Sequence, residues 1–209
     1  MTLEQAIMKW DIPETEKIIK EELQKKPKDI KLWLKLTLIE LQYPYEDYES
    51  ALSCIDNIYT IDICNLTALI LEIGIKWHGM GYVDEETFER LNKVMCSNNK
   101  ERAIVYYLKS LHYQEENDFD NQKEMIGKSI EQYDQYVYPF VDLGKTLLSE
   151  SKYQEANVVF KKAITNVKKI FQPDEVYDFT DTDMYIAEFI TGTALSVSNF
   201  ENLKNFSFK

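Results

Sequence analysis

Apolar residues in the second half of the chain recur at helical spacing. Phe140, Leu143, Gly144 and Leu147 fall on one face of a helix that begins near Val137. After the segment Glu150-Ser151-Lys152, the residues Tyr153, Ala156, Phe160 and Ala163 fall on one face of a second. Steps of three and four residues place side chains above one another on an α-helix, whereas a strand would need alternation by two. Large and small positions follow a set order along the pair. The small residues Gly144, Ala156 and Ala163 let two helix axes approach, and the large ones fill the grooves left between them. The three residues from Glu150 to Lys152 are enough only for a tight turn, so the pair is predicted to be antiparallel.

The same order returns 34 residues upstream. Gly144 maps to Ser110, Tyr153 to Phe119, Ala156 to Gln122, Phe160 to Ile126 and Ala163 to Ser129, with Glu116-Asn117-Asp118 as the turn. Gln122 is large for its place, which predicts that this pair splays. Further up, Gly74 is the small residue of a helix over 65–78, and the loop Gly79-Met80-Gly81-Tyr82 absorbs a longer spacing before Asp84 caps a helix to about Met95. Trp33, Leu36 and Thr37 mark a helix ended by Tyr43-Pro44. Tyr48, Ala51, Ile55 and Ile58 mark its partner. Ile18, Ile19 and Leu23 form a helix with Pro13 in its first turn, paired with a short helix over Leu3–Lys9. Beyond Lys169 the pattern breaks. Residues 171–182 hold Pro173 and several acids and read as a loop; a last helix over Asp183–Val197 follows, with a further turn or two in 199–206.

This order of large, small and aromatic positions resembles the tetratricopeptide repeat (TPR) over about four repeats, residues 28–169. The resemblance implies an all-α, right-handed superhelix of antiparallel helix pairs. About five pairs are expected in a single domain of residues 1–209, counting an N-terminal pair in 1–27, with 170–209 as an acidic loop and capping helix. It also implies a concave groove lined by the first helix of each pair. The groove positions here are Leu34, Leu38, Leu71, Ile75, Tyr107, Leu111, Tyr138, Val141 and Lys145. TPR grooves that clamp a peptide carboxylate carry Lys, Arg and Asn at these places; this one carries almost none, so the clamp is not expected. An apolar groove accepts a helix or strand from a protein or peptide partner. It also accepts the chain's own stripe of Ile186, Phe189, Ile190 and Ala194. The pattern leaves both readings open.

Composition agrees with helices. Hydrophobic residues make up 44% of the 209, enough for a core, while Gly 6 and Pro 5 are too few for a turn-rich all-β chain. Charge narrows the partner. A formal net charge of -12 disfavours nucleic acid and anionic membrane surfaces and steers toward a basic protein. The acids gather at turns: Asp84, Glu85 and Glu86; Glu115, Glu116, Asp118 and Asp120; and Asp174, Glu175, Asp178, Asp181 and Asp183. Such residues are either solvated loop and N-cap positions or a footprint for a basic partner. The run 178–183 lacks the glycine and the distant glutamate of a calcium loop, so no metal is expected.

Catalytic chemistry finds little support. His78 and His112 stand apart from any second ligand at zinc spacing, and no phosphate-binding or nucleophile-elbow motif occurs. Pairing of Cys64 or Cys96 with either histidine is formally open, but a buried structural thiol is the commoner fate on an apolar helix face. Cys54, Cys64 and Cys96 make an odd set without CxxC spacing, and the N-terminus has no apolar run of signal-peptide length. No stretch is apolar enough to span a membrane. A cytoplasmic, non-catalytic interaction module without a cofactor is expected. Small, acidic, degenerate TPR-like chains resemble some bacterial toxin-immunity proteins, which implies a basic toxin as partner. The alternative is a peptide-sensing TPR regulator acting on another protein, because the acidic start (Glu14, Glu16, Glu21, Glu22) provides no DNA-reading helix. An enzyme on a helical-repeat scaffold is the third reading.

Overall fold

A computed structural model describes residues 1–42, 46–170 and 179–181. Within them the chain is helical and contains no strand. The elements are α1 (Leu3–Met8), α2 (Ile12–Lys25), α3 (Ile30–Glu40), α4 (Tyr48–Ile61), α5 (Leu66–Ile75), α6 (Glu85–Lys93), α7 (Asn99–Glu115), α8 (Phe119–Gln132), α9 (Val137–Ser149) and α10 (Tyr153–Ile170). A π-helical turn, Lys76–Met80, continues α5.

The starts of α1 to α8 are set by polar side chains. Thr2, Asp11, Asp29, Asp47, Asn65, Asp84, Asn98 and Asp118 each occupy the N-cap and accept a hydrogen bond from a first-turn N–H. Thr2 and Gln5 form a reciprocal capping box, and Pro13 lies in the first turn of α2. No described helix is long and apolar enough to cross a membrane.

The chain groups into two compact units. One is built on residues 1–95 together with Phe179–Asp181, the other on residues 96–170. In the first, α3 packs on α4 and on α2. Leu34 and Leu38 of α3 share a core with Ala51, Ile55 and Ile58 of α4 and with Ala68, Leu71 and Ile75 of α5. Every residue of α5 from Ala68 to Ile75 is buried. A helix that is apolar all round must be covered on all sides.

In the second unit α7 packs on α8 and α9 on α10. Small-residue positions are closed as the repeat order predicts: Ser110, Ser129, Ala156 and Ala163 are 0–1% exposed. The Ser129 hydroxyl donates to the Ala103 carbonyl at 2.7 Å, which ties α8 to α7. Gln122, expected to splay its pair, is buried, and its amide donates to Gln114 Oε1 at 3.1 Å. Phe119 and Tyr153 differ from expectation. They are 59% and 66% exposed and do not face the partner helix. Helical side chains lean toward the N-terminus, and a residue at the first helical position has no preceding turn to lie on.

The predicted loop over 171–182 also holds a surprise in its described part. Phe179 and Thr180 are buried, Phe179 in the core of the first unit beside Ile12, Ile19 and Leu36. A lone aromatic in an acidic stretch carries no periodicity from which burial could be read. The proposed capping helix over Asp183–Val197 and its stripe of Ile186, Phe189, Ile190 and Ala194 lie outside the described residues. So do Tyr43 and Pro44, expected to end α3, which already stops at Glu40, and the side chain of His78 and the acids Asp174, Glu175, Asp178 and Asp183.

Candidate interaction surfaces

Glu72 is the one charged residue of α5 and is only 4% exposed. A buried carboxylate must be paired and hydrogen-bonded. Its oxygens accept from Tyr59 Oη at 2.6 Å, Lys76 Nζ at 2.6 Å, Arg90 Nη2 at 2.7 Å and Thr87 Oγ1 at 3.0 Å. Lys76, on the π turn, also donates to Asp84 Oδ2 at 2.5 Å. Asp84 accepts the Thr87 N–H as the N-cap of α6. The Arg90 guanidinium lies 4.7 Å over the Tyr59 ring. Two carboxylates thus face two cations, and α4, α5, the π turn and α6 are joined by one network.

The titration of the network follows from this geometry. Burial alone would raise Asp84, but hydrogen bonds from Lys76 and from the Thr87 N–H outweigh it and hold the pKa at about 2. Burial would lower Lys76, yet its bonds to Asp84 and Glu72 raise it. Burial and the neighbouring Glu72 push the Tyr59 phenol well above its usual range. Beside the network is a recess of about 130 Å³ lined by Tyr59, Ile63, Cys64, Asn65, Leu69, Arg90, Lys93 and Val94.

In the second unit, Tyr107 of α7 donates to Asp142 Oδ2 of α9 at 2.9 Å, and Lys145 holds the other oxygen at 2.8 Å. Tyr107 stacks on Tyr138 with ring centroids 5.9 Å apart and meets Tyr136 edge-on at 5.1 Å. Burial and the Asp142 charge raise the Tyr107 phenol.

The structure separates the sequence-predicted groove residues into two groups. Leu71, Ile75, Tyr107, Leu111 and Val141 are 0–5% exposed. Leu71 and Ile75 belong to the first unit's core, and Val141 packs with Phe140 and Phe160 in the second. Tyr138 is half-buried and Lys145 exposed, so these two keep accessible surface. The acids also divide. Asp84 and Asp118 are N-caps, and Glu85, Glu86 and Asp120 lie in first turns, where the helix dipole favours a negative charge. Glu115 and Glu116 close the C-terminal end of α7, where the dipole disfavours them. The next repeat shows the contrast. Glu150, one period on, is met by Lys123 at 2.7 Å and Lys152 at 2.6 Å, and these lower its pKa. Glu116 has no cation within 4 Å among the described residues. Sequence reasoning missed the Glu72 network, although Glu72 and Lys76 stand four apart on an otherwise apolar run.

Among the described residues no group of three or more His, Cys, Asp or Glu is arranged to hold a metal. His112 is buried with its ring against Tyr113 at 5.9 Å. The cysteines are free: Cys54 buried, Cys64 exposed and Cys96 between the two. Burial and then Glu40 push the Cys54 thiol up to about 12, and burial and Glu101 raise Cys96. A thiol reagent at pH 8 should therefore modify Cys64 first and Cys96 more slowly, reaching Cys54 only on unfolding. Mass mapping of a time course checks this order.

No protein-family model matches the chain, and no curated protein matches it. The likeness is to solved structures. One titled "Crystal structure of MamA" is 19% identical, with 81% of this chain and 96% of that chain covered and a TM-score of 0.61. MamA 41-end from Desulfovibrio magneticus RS-1 is 15% identical, with 83% and 93% covered and a TM-score of 0.63. The chain has a TPR-like helical-repeat fold. At this identity the likeness extends to the fold alone.

Proposed function

We propose that this chain is a non-catalytic protein-interaction module that binds a basic protein partner at the acidic turn between α7 and α8. The observation that carries the reading is the placement of Glu115 and Glu116. They sit at a helix C-terminus, where carboxylates cost stability, and Glu116 lacks the lysines that compensate Glu150 one repeat later. Asp120 across the turn adds a further exposed negative charge. Glu116 and Asp120, both exposed, are available to a partner's lysines and arginines. The net charge of -12 draws such a partner in and raises its association rate at low salt.

Tyr138 and Lys145 supply the accessible part of the first-helix face in the same unit and form a second, aromatic contact. The free cysteines suit a reducing, cytoplasmic setting. A basic toxin domain neutralised by occlusion is the specific partner that this chemistry favours. It would make the chain an immunity protein.

The test is affinity capture of the tagged protein from its native cells, beside a variant carrying Glu115→Lys, Glu116→Lys and Asp120→Lys. A basic protein recovered in equal amount with the parent and lost from the variant is the expected result. With that partner purified, affinity should fall on the order of tenfold or more between 50 and 200 mM salt if several charge pairs form. A partner captured equally by both proteins would remove the acidic turn from the interface.

A further inference from the structure

The last turn of α6 carries Arg90 and Lys93, and both line the recess beside the Glu72 network. A helix C-terminus favours cations, so their presence alone implies no ligand. Their surroundings are less ordinary. Leu69 of α5, the Tyr59 ring of α4, and Ile63 and Val94 make the rest of the wall largely apolar. Ile63, in the turn before α5, is 64% exposed. No Asp or Glu lines the recess, in a chain of net charge -12. Asp62, beside it in sequence, is turned to its own loop, where it accepts from the Cys64 N–H and from Asn65 Nδ2, each at 3.1 Å. None of these residues is one of the groove positions named from the repeat order.

The Arg90 guanidinium is held in place but only partly used. Nη2 donates to Glu72 at 2.7 Å and to Thr87 Oγ1 at 3.3 Å, and the Tyr59 ring lies 4.7 Å beneath the group. Among the described residues Nε is buried without a hydrogen-bond partner, and Nη1 donates to no protein atom. A guanidinium has five N–H donors in a fixed fork, so Nη1 remains for a ligand. Lys93 meets Glu89 at 3.3 Å in a pair whose side chains are 75% and 60% exposed. Exposed pairs of this kind hold weakly, and Lys93 is free to turn toward the recess. Size and polarity then select the occupant. About 130 Å³ is close to the cavity of about 150 Å³ that takes benzene, so the recess takes roughly four to six carbons. An inorganic anion would meet the cations and leave the apolar wall uncovered. An alkane would cover the wall and leave the cations unmet. A carboxylate on a short alkyl group does both, and the guanidinium fork matches its geometry.

We infer that the recess between α4, α5 and α6 binds a short branched aliphatic carboxylate, its alkyl group against Ile63, Leu69 and Val94 and its carboxylate on Arg90 and Lys93. A free acid and the last residue of a peptide share this chemistry, and the experiment separates them. The site belongs to the first unit. It is independent of the acidic turn of the second unit, and either can fail without the other.

The experiment titrates the full chain with isocaproate near neutral pH, where the acid is ionised. Cys64 lines the recess and serves as the reporter. Isocaproate should slow alkylation of Cys64 by iodoacetamide, leave the rate at Cys96 unchanged, and raise the Tm. For so small a ligand the expected Kd is on the order of millimolar. Isocaproamide, which lacks the charge, and sulfate, which lacks the alkyl group, should each bind roughly tenfold more weakly or worse. Lys93→Ala should weaken isocaproate about three- to tenfold, since one of two cations is lost. Val94→Trp, which fills the recess from its rim, should abolish the Tm shift. Acetyl-alanyl-leucine with a free carboxylate is titrated beside the acid. Tighter binding of the peptide assigns the site to a chain end, and binding of the acid alone assigns it to a free acid. Neither protection of Cys64 nor a Tm shift at about 50 mM isocaproate or peptide would overturn the proposal. Equal protection by isocaproamide would overturn it as well, because the cations would then play no part.

Discussion

Replacing Gly144 by alanine should destabilise the second unit by about 1–3 kcal/mol, and leucine should cost considerably more. A Cβ built on Gly144 would lie 2.5 Å from Phe160 Cε1, 2.6 Å from Cζ and 2.9 Å from Cδ1. Real Cβ atoms do not come so close, so the ring or the helices must move. The ring has little room. Phe160 is 2% exposed and is packed among Val137, Phe140, Val141, Leu147 and Ile164, and an interior at crystal-like density transmits such a push. Working against this is the ordinary gain of about 1 kcal/mol when glycine becomes alanine inside a helix. Gly127 isolates that gain. It lies within α8 with nothing within 4 Å of its built Cβ, so Gly127→Ala should stabilise by about 0.5–1 kcal/mol. The same substitution is thus expected to have opposite signs at two helical positions. Urea unfolding of both variants checks it. Adding Phe160→Leu to Gly144→Ala should recover part of the loss, since the two residues are in direct contact. A Gly144→Ala variant as stable as the parent would mean that the closest approach of α9 and α10 does not rest on glycine.

This crossing was legible in the sequence because small residues recur at a fixed period, and period is what sequence shows best. The same holds for the elements before it. Pro13 and Asp84 mark boundaries that the structure keeps, since capping and turn chemistry act locally, whereas the expected Gly79–Tyr82 loop is shortened because the π-helical turn Lys76–Met80 takes in Gly79 and Met80 and ends at Gly81. Burial at helix starts was less legible. Phe119 and Tyr153 share the period of the core yet lie in solvent, because register alone does not tell whether a preceding turn exists to cover a side chain. The candidate surfaces were legible only as composition. Which acids cap helices and which stand against a helix dipole depends on where the helices stop, and Glu115 and Glu116 differ from Glu85 and Glu86 only in that respect. Phe179 depends on contacts between residues without any shared period, so no pattern announced it, and the Glu72 network showed in the sequence only as Glu72 and Lys76 four residues apart.

Removing the Glu72 carboxylate with Glu72→Ala should cost about 3–5 kcal/mol, the range for breaking a buried ion pair on one side. The loss comes mainly from what remains. Lys76 and Arg90 would keep their charges with side chains only 16% and 24% exposed, Tyr59 would lose its acceptor, and Asp84 would remain as the carboxylate partner of Lys76 while Arg90 lost its own. Glu72→Gln keeps the shape and one acceptor oxygen but not the charge, so it should cost less than alanine. A hydrophobic replacement of the whole set need not be harmful, because the desolvation of four charges offsets much of their attraction. The prediction therefore concerns one-sided removal. Asp84 adds a dependence on pH that can be read separately. Its folded pKa, about 2, lies below the ordinary 3.8, so its contribution is present above 3.8 and is lost as pH falls through about 2. The stability difference between the parent and Asp84→Asn should be constant near neutral pH and shrink as the pH is taken from 4 toward 2. Its N-cap bond to the Thr87 N–H survives in asparagine, so the part that titrates is the pairing with Lys76. A difference that stays flat to pH 2 would place the Asp84 contribution in the cap. Lys76 would then be held by Glu72 alone.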